Sequence, residues 1–316
     1  MDGKTIKNTN IEFLNKSYKF YLQSIRKRGH MEDTNLLEKK IGFIILTWNS
    51  ENVIGKCLNS ILSLKCCKPM IIVIDNGSND STINVINRYM VGNTDSLKLI
   101  KYQKNMGTTI SRNAGIKSLK KENINYYCVL DSDTEVNDRC FEKLMNEMEE
   151  NDDYGIIGPK MFSSDGTVQM SARAFPTLLE KIYKAIPNKK LQHKGEKMEE
   201  QFSSENLVSY PVDYLMSACW LIKPEVINTV GLLDEKIFYA PEDAEYCICV
   251  WKAGYKVAYC PDASMIHEWQ RLSKKKLISK INWEHIKGLI YMFKKHKYLF
   301  NTKKLRNNFK INKGEN

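Results

Sequence analysis

Between residues 41 and 133 the chain alternates short apolar runs with segments of helical periodicity. Apolar runs bounded by turn residues predict buried strands, whereas apolar positions spaced i, i+3, i+4, i+7 predict helices. The predicted strands cover 42–47, 70–74, 97–101 and 127–133, and the predicted helices cover 51–63, 81–89 and 108–120. Strands that alternate with helices indicate an α/β fold with a doubly wound, mostly parallel sheet flanked by helices.

Extensions flank this main domain, which we place at residues 41–273 and divide into halves at 135/136. Residues 1–40 predict an N-terminal helical extension with an apolar stripe that runs from Leu14 to Ile25. Residues 177–207 are rich in Lys and Glu and show no clear period, so we expect a mobile insertion, in the manner of a lid. Residues 274–316 form a separate C-terminal tail.

The basic excess of the chain lies in this tail. Residues 274–316 hold 13 Lys and Arg against 2 Glu, whereas the rest of the chain holds 35 residues of each sign. Ile286, Leu289, Ile290 and Phe293 follow helical spacing with lysines on another face, which predicts a basic amphipathic helix. Such a helix can lie on an anionic membrane surface or pack on the main domain, and both alternatives stay open. Because aromatic residues are not interleaved with the basic ones on a sheet or groove, we expect no nucleic-acid partner.

The composition is that of an ordinary globular protein. The chain has 316 residues, 42% of them hydrophobic, which is enough for a substantial core. Nine cysteines, several in apolar contexts, favour reduced thiols in a cytosolic protein over a disulfide framework. No apolar stretch approaches the roughly 18 residues of a membrane span. We therefore expect a cytoplasmic protein, with peripheral contact to the inner face of a membrane as an option.

Polar side chains collect where the predicted strands end. Thr47 and Asn49 end the first strand, Asp75 ends the second, and Asn105 follows the third. In a doubly wound sheet the ligand crevice lies at the carboxyl ends of the strands. Asp75 stands at a strand terminus, where it can meet a base or ribose, whereas the residues after it also fit simple turn and capping chemistry.

The fourth predicted strand ends in Asp131 and Asp133. Residues two apart on a strand project from the same face, so the two carboxylates should converge beyond the sheet edge. Such a pair can hold a divalent cation, Mn²⁺ or Mg²⁺, through oxygen ligands. The chain lacks both the Gly-x-Gly-x-x-Gly and the Gly-x-x-x-x-Gly-Lys-Ser/Thr patterns, which argues against a dinucleotide-dependent dehydrogenase and a P-loop nucleotidase.

Eight short blocks carry a family resemblance by their order and spacing. They are 44–49 (IILTWN), 73–80 (VIDNGSND), 105–107 (NMG), 112–115 (RNAG), 131–133 (DSD), 218–223 (ACWLIK), 231–235 (GLLDE) and 241–245 (PEDAE). Together they resemble the family 2 inverting glycosyltransferases with the GT-A fold, and within them the rhamnosyltransferase-like enzymes of bacterial surface polysaccharide assembly. The resemblance covers about residues 41–273 and implies a nucleotide-binding half, 41–135, and an acceptor half, 136–273.

The resemblance implies roles on the donor side. Asp133 would bind the metal directly, while Asp131 would contact the ribose or reach the metal through water. Asp75 would bind a uracil or thymine base, which implies a UDP- or dTDP-linked sugar donor. Arg112 would complete the nucleotide pocket, and the other residues assigned to the nucleotide-sugar site are Thr47, Asn49, Asn105, Trp220 and Glu242.

It also implies roles on the acceptor side. Asp243 would be the general base that takes the proton of the acceptor hydroxyl, and Glu242 would contact donor or acceptor hydroxyls. His267 stands where related enzymes carry a histidine that faces the metal and diphosphate. Trp220 would stack on a sugar ring or fill the core, and the residues leave both readings open. Glu245 departs from the family pattern, in which a second Asp usually follows.

Two other functions stay open beside the transferase. A catalytically inactive GT-A domain could serve as a binding or scaffold subunit, although the presence of Asp131, Asp133 and Asp243 argues against it. A sugar-phosphate nucleotidyltransferase would call for a Gly-rich basic loop after the first strand, where this chain has residues 49–52 (NSEN). The sequence also leaves open whether the acceptor is a saccharide, a lipid-linked saccharide or a peptide.

Overall fold

The computed structural model describes residues 34–201, 208–268 and 280–311. The chain divides into two compact units, Met1–Glu38 and Lys39–Asn316. In the first unit the described residues form one short helix, α1 (Thr34–Leu37). The apolar stripe predicted between Leu14 and Ile25 lies outside the described residues.

The second unit is a layered α/β structure. Its strands are β1 (Lys40–Thr47), β2 (Lys68–Asp75), β3 (Leu97–Lys101), β4 (Tyr126–Asp131), β5 (Thr134–Glu135), β6 (Tyr154–Phe162), β7 (Val168–Gln169), β8 (Ala172–Arg173), β9 (Tyr210–Pro211), β10 (Tyr214–Leu215), β11 (Cys219–Ile222) and β12 (Lys256–His267). Its helices are α2 (Ile54–Leu62), α3 (Thr82–Met90), α4 (Thr108–Leu119), α5 (Asp138–Glu150), α6 (Leu178–Ala185), α7 (Lys189–Glu199), α8 (Pro224–Val230), α9 (Glu242–Lys252), α10 (Lys280–His296) and α11 (Lys303–Ile311).

One large sheet organises this unit. Its strand order is β3-β2-β1-β4-β11-β6-β12-β5, with β7 paired to β6 and β9 paired to β12. The first four strands are mutually parallel, β11 runs antiparallel between β4 and β6, and β6 pairs with β12 in parallel. The predicted α/β class with a doubly wound, mostly parallel sheet is therefore confirmed.

Helix α4 packs directly on the parallel strands because small residues face them. A Cβ atom on Gly115 would lie 2.5 Å from the side chain of Ile44 and 2.9 Å from that of Ile74, so only glycine fits there. The Asn113 side chain donates to the carbonyl oxygen of Leu233 and accepts from its amide, at 2.9 and 3.0 Å. These contacts fix the helix that carries Arg112.

The structure adds detail to one sequence-based expectation and differs from another. Residues 177–207, for which we expect a mobile insertion, contain α6 and α7, whose N-termini are capped by the side chains of Thr177 and Asn188. Residues 202–207 of that segment lie outside the described residues. Strand β4 ends at Asp131 rather than at Asp133, so Asp133 lies in a turn and not on the same strand face. The two carboxylates nevertheless converge.

The described part of the C-terminal tail contains two helices, α10 and α11, and α10 packs on the rest of the second unit. Met292 of α10 is fully buried, and the buried carboxylate of Glu245 accepts from Lys295 at 2.7 Å and contacts His296 Nε2 at 3.0 Å. Lys295 also pairs with Asp234 at 2.6 Å. Residues 274–279 lie outside the described part of the chain. Among the described helices, none is long and apolar enough to cross a membrane.

All nine cysteines lie in the described part of the chain and carry free thiols. Only Cys249 is partly exposed, and burial raises the pKa of Cys57 to about 12. The expectation of reduced, buried thiols agrees with this arrangement.

We predict that Gly288→Ala destabilises the protein by about 1–3 kcal/mol, the usual effect of overpacking. A Cβ atom at Gly288 would lie 2.2 Å from the carbonyl oxygen of Ala240, so α10 and the loop before α9 would have to separate. The measurement is urea unfolding followed by circular dichroism.

The matched control is Gly55→Ala in α2, where the new Cβ atom would meet its nearest neighbour at 3.4 Å. This variant should be as stable as the wild type or gain up to about 1 kcal/mol from helix propensity. Equal stability of the two variants would contradict close contact between α10 and residue 240.

Candidate active site

The candidate site lies at the carboxyl ends of the parallel strands. Strand β1 sits between β2 and β4, with Thr47 beside Asp75 on one side and Leu46 beside Asp131 on the other. Connections leave the sheet in opposite directions at such a point, so a crevice opens there. The helices α4 and α9 contribute further polar groups near their N-termini, the turn after β4 contributes Asp133, and the end of β12 contributes His267.

Arg112 connects the two sides of this crevice. Its guanidinium is 2% exposed and donates to Asp131 Oδ1 at 2.9 Å and to Glu242 Oε1 at 3.0 Å. It also donates to the hydroxyl of Ser217 at 2.7 Å and to its carbonyl oxygen at 3.3 Å. The planar fork of arginine suits such multidentate contacts. A single cation thus joins the end of β4 to the start of α9.

Glu242 and Asp243 form the first turn of α9. Glu242 is buried, and this burial together with the charge of Asp243 raises the pKa of Glu242 to about 8, although Arg112 opposes the shift. Asp243 is half-buried, and burial raises its pKa against the hydrogen bond from the Ala244 amide. Desolvation by burial is the largest cause of both shifts, and the charge of Asp243 adds to the shift of Glu242.

Asp131, Asp133 and His267 form a cluster with the chemistry of a cation site. One ligand atom from each lies within 4.8 Å of the others, and His267 Nε2 is 3.4 Å from Asp133 Oδ1. Burial lowers the pKa of His267, but the hydrogen bond and charge of Asp133 outweigh it, so the pKa is raised overall. Burial raises the pKa of Asp131, against the opposing charge of Arg112. Two carboxylates and an imidazole suit Mn²⁺, and carboxylates suit Mg²⁺.

Gln169 fixes the tautomer of His267. Its side-chain amide nitrogen donates to the backbone carbonyl oxygen of His267 at 2.7 Å. Its carbonyl oxygen therefore faces His267 Nδ1, at 2.8 Å, and Nδ1 must be the protonated nitrogen. In the neutral ring, Nε2 then carries a lone pair directed at the aspartates, as in a metal-ligating histidine supported from behind.

The predicted base pocket centres on Asp75 and Thr47. Asp75 Oδ2 accepts from the Ser78 amide at 3.1 Å, and Asp75 and Thr47 are both almost completely buried. Among the described residues, Asp75 Oδ1 and Thr47 Oγ1 are buried without a hydrogen-bond partner. A buried polar atom without a partner is costly, so these two atoms are available to a ligand that can pair with them.

The two predicted asparagines shape loops of the same pocket. Asn49 has a positive φ of 51° and accepts from the Asn79 amide at 2.9 Å. The Asn105 side chain accepts from the Gly107 amide at 2.9 Å and from the Asn76 side chain at 3.0 Å. Both therefore hold backbone near the crevice, whether or not they also touch a ligand.

Trp220 corrects one expectation. Its side chain is fully buried in the core, where it stacks on Tyr246 with ring centroids 6.1 Å apart. Its indole nitrogen donates to the carbonyl oxygen of Leu215 at 3.1 Å. The packing of β11 between β4 and β6 places this ring inside the protein, so it presents no face to a sugar.

Sequence reasoning missed three residues of the site. Ser217 binds both Arg112 and Glu242, and it lies one residue before a family block that was read from position 218. Gln169 lies 98 residues from His267 in an unremarkable two-residue strand, so no local signal marks it. Arg173 acts on Asp243 through its charge and pairs with Glu199 at 2.9 Å. Its contact with Glu199 joins β8 to the end of α7, and no local sequence pattern indicates such a contact.

A family model describes more than half of the chain. The model of glycosyl transferase family 2 matches residues 43–225. The chain belongs to this family. It is a glycosyltransferase, and the predicted family and enzyme class are confirmed. The match favours this class over the sugar-phosphate nucleotidyltransferase that the sequence left open.

Relatives among characterised proteins agree with a rhamnosyltransferase-like member of the family. The dTDP-rhamnosyl transferase RfbF of Shigella flexneri is 24% identical over 232 residues, which are 73% of this chain and 70% of that protein. The N-acetylglucosaminyl-diphospho-decaprenol L-rhamnosyltransferase of Mycobacterium tuberculosis is 24% identical over 252 residues, 74% and 78% of the two chains. The poly(ribitol-phosphate) β-N-acetylglucosaminyltransferase TarP of Staphylococcus aureus is 34% identical over 125 residues, 38% and 36%.

Solved structures show the same fold. GalNAc-T7, crystallised with UDP, GalNAc and Mn²⁺, superposes with a TM-score of 0.59 at 14% identity and covers 88% of this chain. The mannosyltransferase PcManGT of Pyrobaculum calidifontis, in complex with GDP-Man and Mn²⁺, gives 0.53 at 13% identity and covers 86%. This chain covers 55% and 69% of those two chains. The fold of family 2 glycosyltransferases predicted for this chain, GT-A, is thereby confirmed.

We predict that Glu242→Gln flattens the dependence of thermal stability on pH. The pKa of Glu242 is about 8 in the folded protein and has its ordinary value of 4.5 in the unfolded chain. Between these values the folded protein keeps a proton that the unfolded chain has released, so the wild type loses stability as pH rises from 4.5 to about 8. Glutamine removes this loss.

The measurement is scanning calorimetry in EDTA at a series of pH values within that range. Glu142→Gln, a change at an exposed position of α5, should keep the wild-type profile. If Glu242→Gln and wild type showed the same slope, the raised pKa would be wrong.

Proposed function

We propose that this protein is a metal-assisted, inverting glycosyltransferase. It moves a sugar from a nucleotide-diphosphate donor to a hydroxyl acceptor in bacterial surface polysaccharide or glycoconjugate assembly. The observation that carries the proposal is the arrangement around Arg112, which ties the cation cluster of β4 to the carboxylates of α9 across one crevice. A donor bound at the first group would present its sugar to the second.

The donor side has groups for each part of a nucleoside diphosphate. Asp75 Oδ1 can accept from the imide N–H of a uracil or thymine ring, and Thr47 Oγ1 lies in the adjacent register position. Asp131 is placed to accept from a ribose hydroxyl or to hold a metal-bound water. The relative from Shigella, whose name specifies a dTDP-linked sugar, supports UDP- or dTDP-linked donors as the first candidates.

Asp133, Asp131 and His267 would hold the divalent cation, Mn²⁺ or Mg²⁺. A cation there would neutralise the negative charge that builds on the departing diphosphate. Gln169 keeps the proton of His267 on Nδ1, so that Nε2 can serve as a ligand. The two solved neighbours that contain Mn²⁺ and a nucleotide or nucleotide-sugar support this assignment.

Asp243 would act as the general base. In an inverting transfer, the acceptor oxygen bonds to the anomeric carbon as the bond to the diphosphate breaks on the opposite face, and the hydroxyl proton passes to the base. Burial raises the pKa of Asp243, which makes its carboxylate a better proton acceptor. Glu242 is buried and bound to Arg112 and Ser217, so it would position these groups or contact a donor hydroxyl.

The acceptor would be a saccharide, a lipid-linked saccharide or a peptide, and contact with a membrane surface through the basic C-terminal helix belongs to the same proposal. The relative from Mycobacterium, named for an acceptor on decaprenol diphosphate, supports the lipid-linked alternative.

We predict that the protein binds one of UDP, dTDP and GDP only when Mn²⁺ is present, and that Asp133→Ala loses this binding. The measurement is isothermal titration calorimetry of each nucleotide with and without the metal. Asp95→Ala, a change at an exposed loop position, should bind as the wild type does. No binding of any nucleotide by wild type would contradict the transferase proposal.

We predict that Asp243→Asn lowers kcat by about 10²–10⁴, the usual contribution of a general base, while the affinity for the nucleotide is retained. Asparagine keeps the shape of the side chain and cannot take the proton. The measurement is single-turnover transfer with the donor that calorimetry selects. An unchanged kcat would show that another residue acts as the general base.

A further inference from the structure

An apolar groove lies between α6 and α10 on the surface of the second unit. It has a volume of about 660 Å³. Its apolar lining consists of Leu178, Ile286, Leu289, Ile290, Phe293, Tyr298 and Leu299. We call this set the α6/α10 groove. None of its residues belongs to the candidate active site.

Large apolar side chains stand exposed along the groove. Ile286 and Ile290 are 47% and 49% exposed, and Trp283, one helical turn before Ile286, is 59% exposed. Phe300 is 57% exposed just beyond the groove, and Ile182, one turn after Leu178 on α6, is 41% exposed. Contiguous exposed apolar surface of this kind usually marks a binding surface.

Positive charge surrounds the apolar surface. Lys181, Lys294 and Lys297 line the groove itself. Lys287 lies over the Trp283 ring at 5.9 Å and pairs with Glu284 at 2.9 Å, and Lys181 pairs with Glu180 at 3.1 Å. Lys294 and Lys297 are exposed. The rim therefore carries a net positive charge.

The opposite side of α10 is already occupied. Gly288 lies against Ala240, Met292 is buried, and Lys295 and His296 bind Glu245. The residues of the groove follow the spacing 286, 289, 290, 293, 294, 297, which is a separate face of the helix. One face of α10 thus packs on the rest of the second unit, while another face is exposed and amphipathic.

We propose that the α6/α10 groove and the exposed side chains beside it dock the protein on the surface of a bilayer that contains anionic phospholipid. Isoleucine, phenylalanine and tryptophan enter the region between headgroups and acyl chains, while lysines contact phosphates. Tryptophan is favoured at that depth because its ring is amphipathic.

Charge complementarity favours an anionic lipid surface over two other possible occupants of the groove. A second copy of the chain would bring an identical lysine rim against the first. Residues 1–33, which lie outside the described part of the chain, hold seven Lys and Arg against four Asp and Glu, so they too are basic. An anionic lipid surface is complementary to the rim, whereas these two are not.

Docking has a consequence that rests on the proposed glycosyl transfer. Helix α10, which lines the groove, also packs through Gly288 against Ala240 and Pro241, directly before Glu242 and Asp243 of α9. The acceptor side of the crevice would therefore lie beside the bilayer, where a saccharide carried on a lipid can reach it. The docking surface itself does not depend on this step.

The test is cosedimentation of the full-length protein with vesicles. Vesicles of phosphatidylcholine with about 30% phosphatidylglycerol should bind the protein, and binding should fall when NaCl is raised to about 0.5 M, because salt screens the lysines. Vesicles of phosphatidylcholine alone should bind it at least several-fold more weakly. Absence of binding to anionic vesicles would overturn the proposal.

Two variants locate the surface. Ile286→Ser/Ile290→Ser should weaken vesicle binding about tenfold or more, and Lys294→Gln/Lys297→Gln should weaken it and reduce its salt dependence. The matched control is Val91→Ser/Val168→Ser, which changes two exposed apolar residues elsewhere and should bind as the wild type does. Circular dichroism checks that each variant is folded.

Two results would contradict the assignment to this groove. One is wild-type binding by the Ile286→Ser/Ile290→Ser variant, which would place the contact in another part of the chain. The other is a wild-type dimer that this variant dissociates in analytical ultracentrifugation, which would make the groove a contact between copies. Nucleotide binding, measured separately, distinguishes failure of docking from failure of the proposed transfer.

Discussion

The candidate site depends on one buried guanidinium. Arg112 is within hydrogen-bonding distance of both Asp131 and Glu242, so it joins the end of β4 to the start of α9. Breaking such a buried pair costs about 3–5 kcal/mol, because the remaining charge stays desolvated. Helix α4 can present this group because Gly115 allows it to lie directly on β1 and β2. The close packing at Gly115 thus positions the guanidinium of Arg112, one helical turn away, which joins the two sides of the site.

Burial and neighbouring charges explain why the acidic groups of the crevice differ in pKa. Glu242 is the most buried of these carboxyl groups, and its desolvation, together with the charge of Asp243, raises its pKa to about 8, so it keeps its proton to higher pH. The contact with Asp133 raises the pKa of His267 against the effect of burial, and the hydrogen bond to Gln169 leaves Nε2 as the nitrogen that can bind a cation in the neutral ring. The donor side of the crevice therefore attracts positive charge, which suits a ligand that binds together with a divalent metal ion.

Much of this architecture can be predicted from the sequence, for physical reasons. Buried parallel strands are continuous apolar runs, so β1 to β4 and the helices between them were found within a few residues. Residues 177–199 were missed because their helices owe their stability to Thr177 and Asn188 caps and to pairs such as Lys184 with Glu199, not to a long apolar stripe. Trp220 was ambiguous because stacking on a sugar and filling a core need the same ring. Contacts such as Gln169 with His267 join distant strands and leave no local pattern.

The segment that identifies the family is shorter than the segment that folds. The family match ends at residue 225, yet β12 inserts between β6 and β5 and carries His267, and α9 begins at Glu242. A chain shortened to the recognised segment would leave a long edge of β6 without its parallel partner, and unpaired edges promote aggregation. Shortening only to the end of β12 would strip Lys295 and His296 from the buried Glu245 and uncover the face against which Met292 packs. For this protein the smallest unit worth producing extends through α11, whose Leu305 and Phe309 are buried, well past the point where the family model ends.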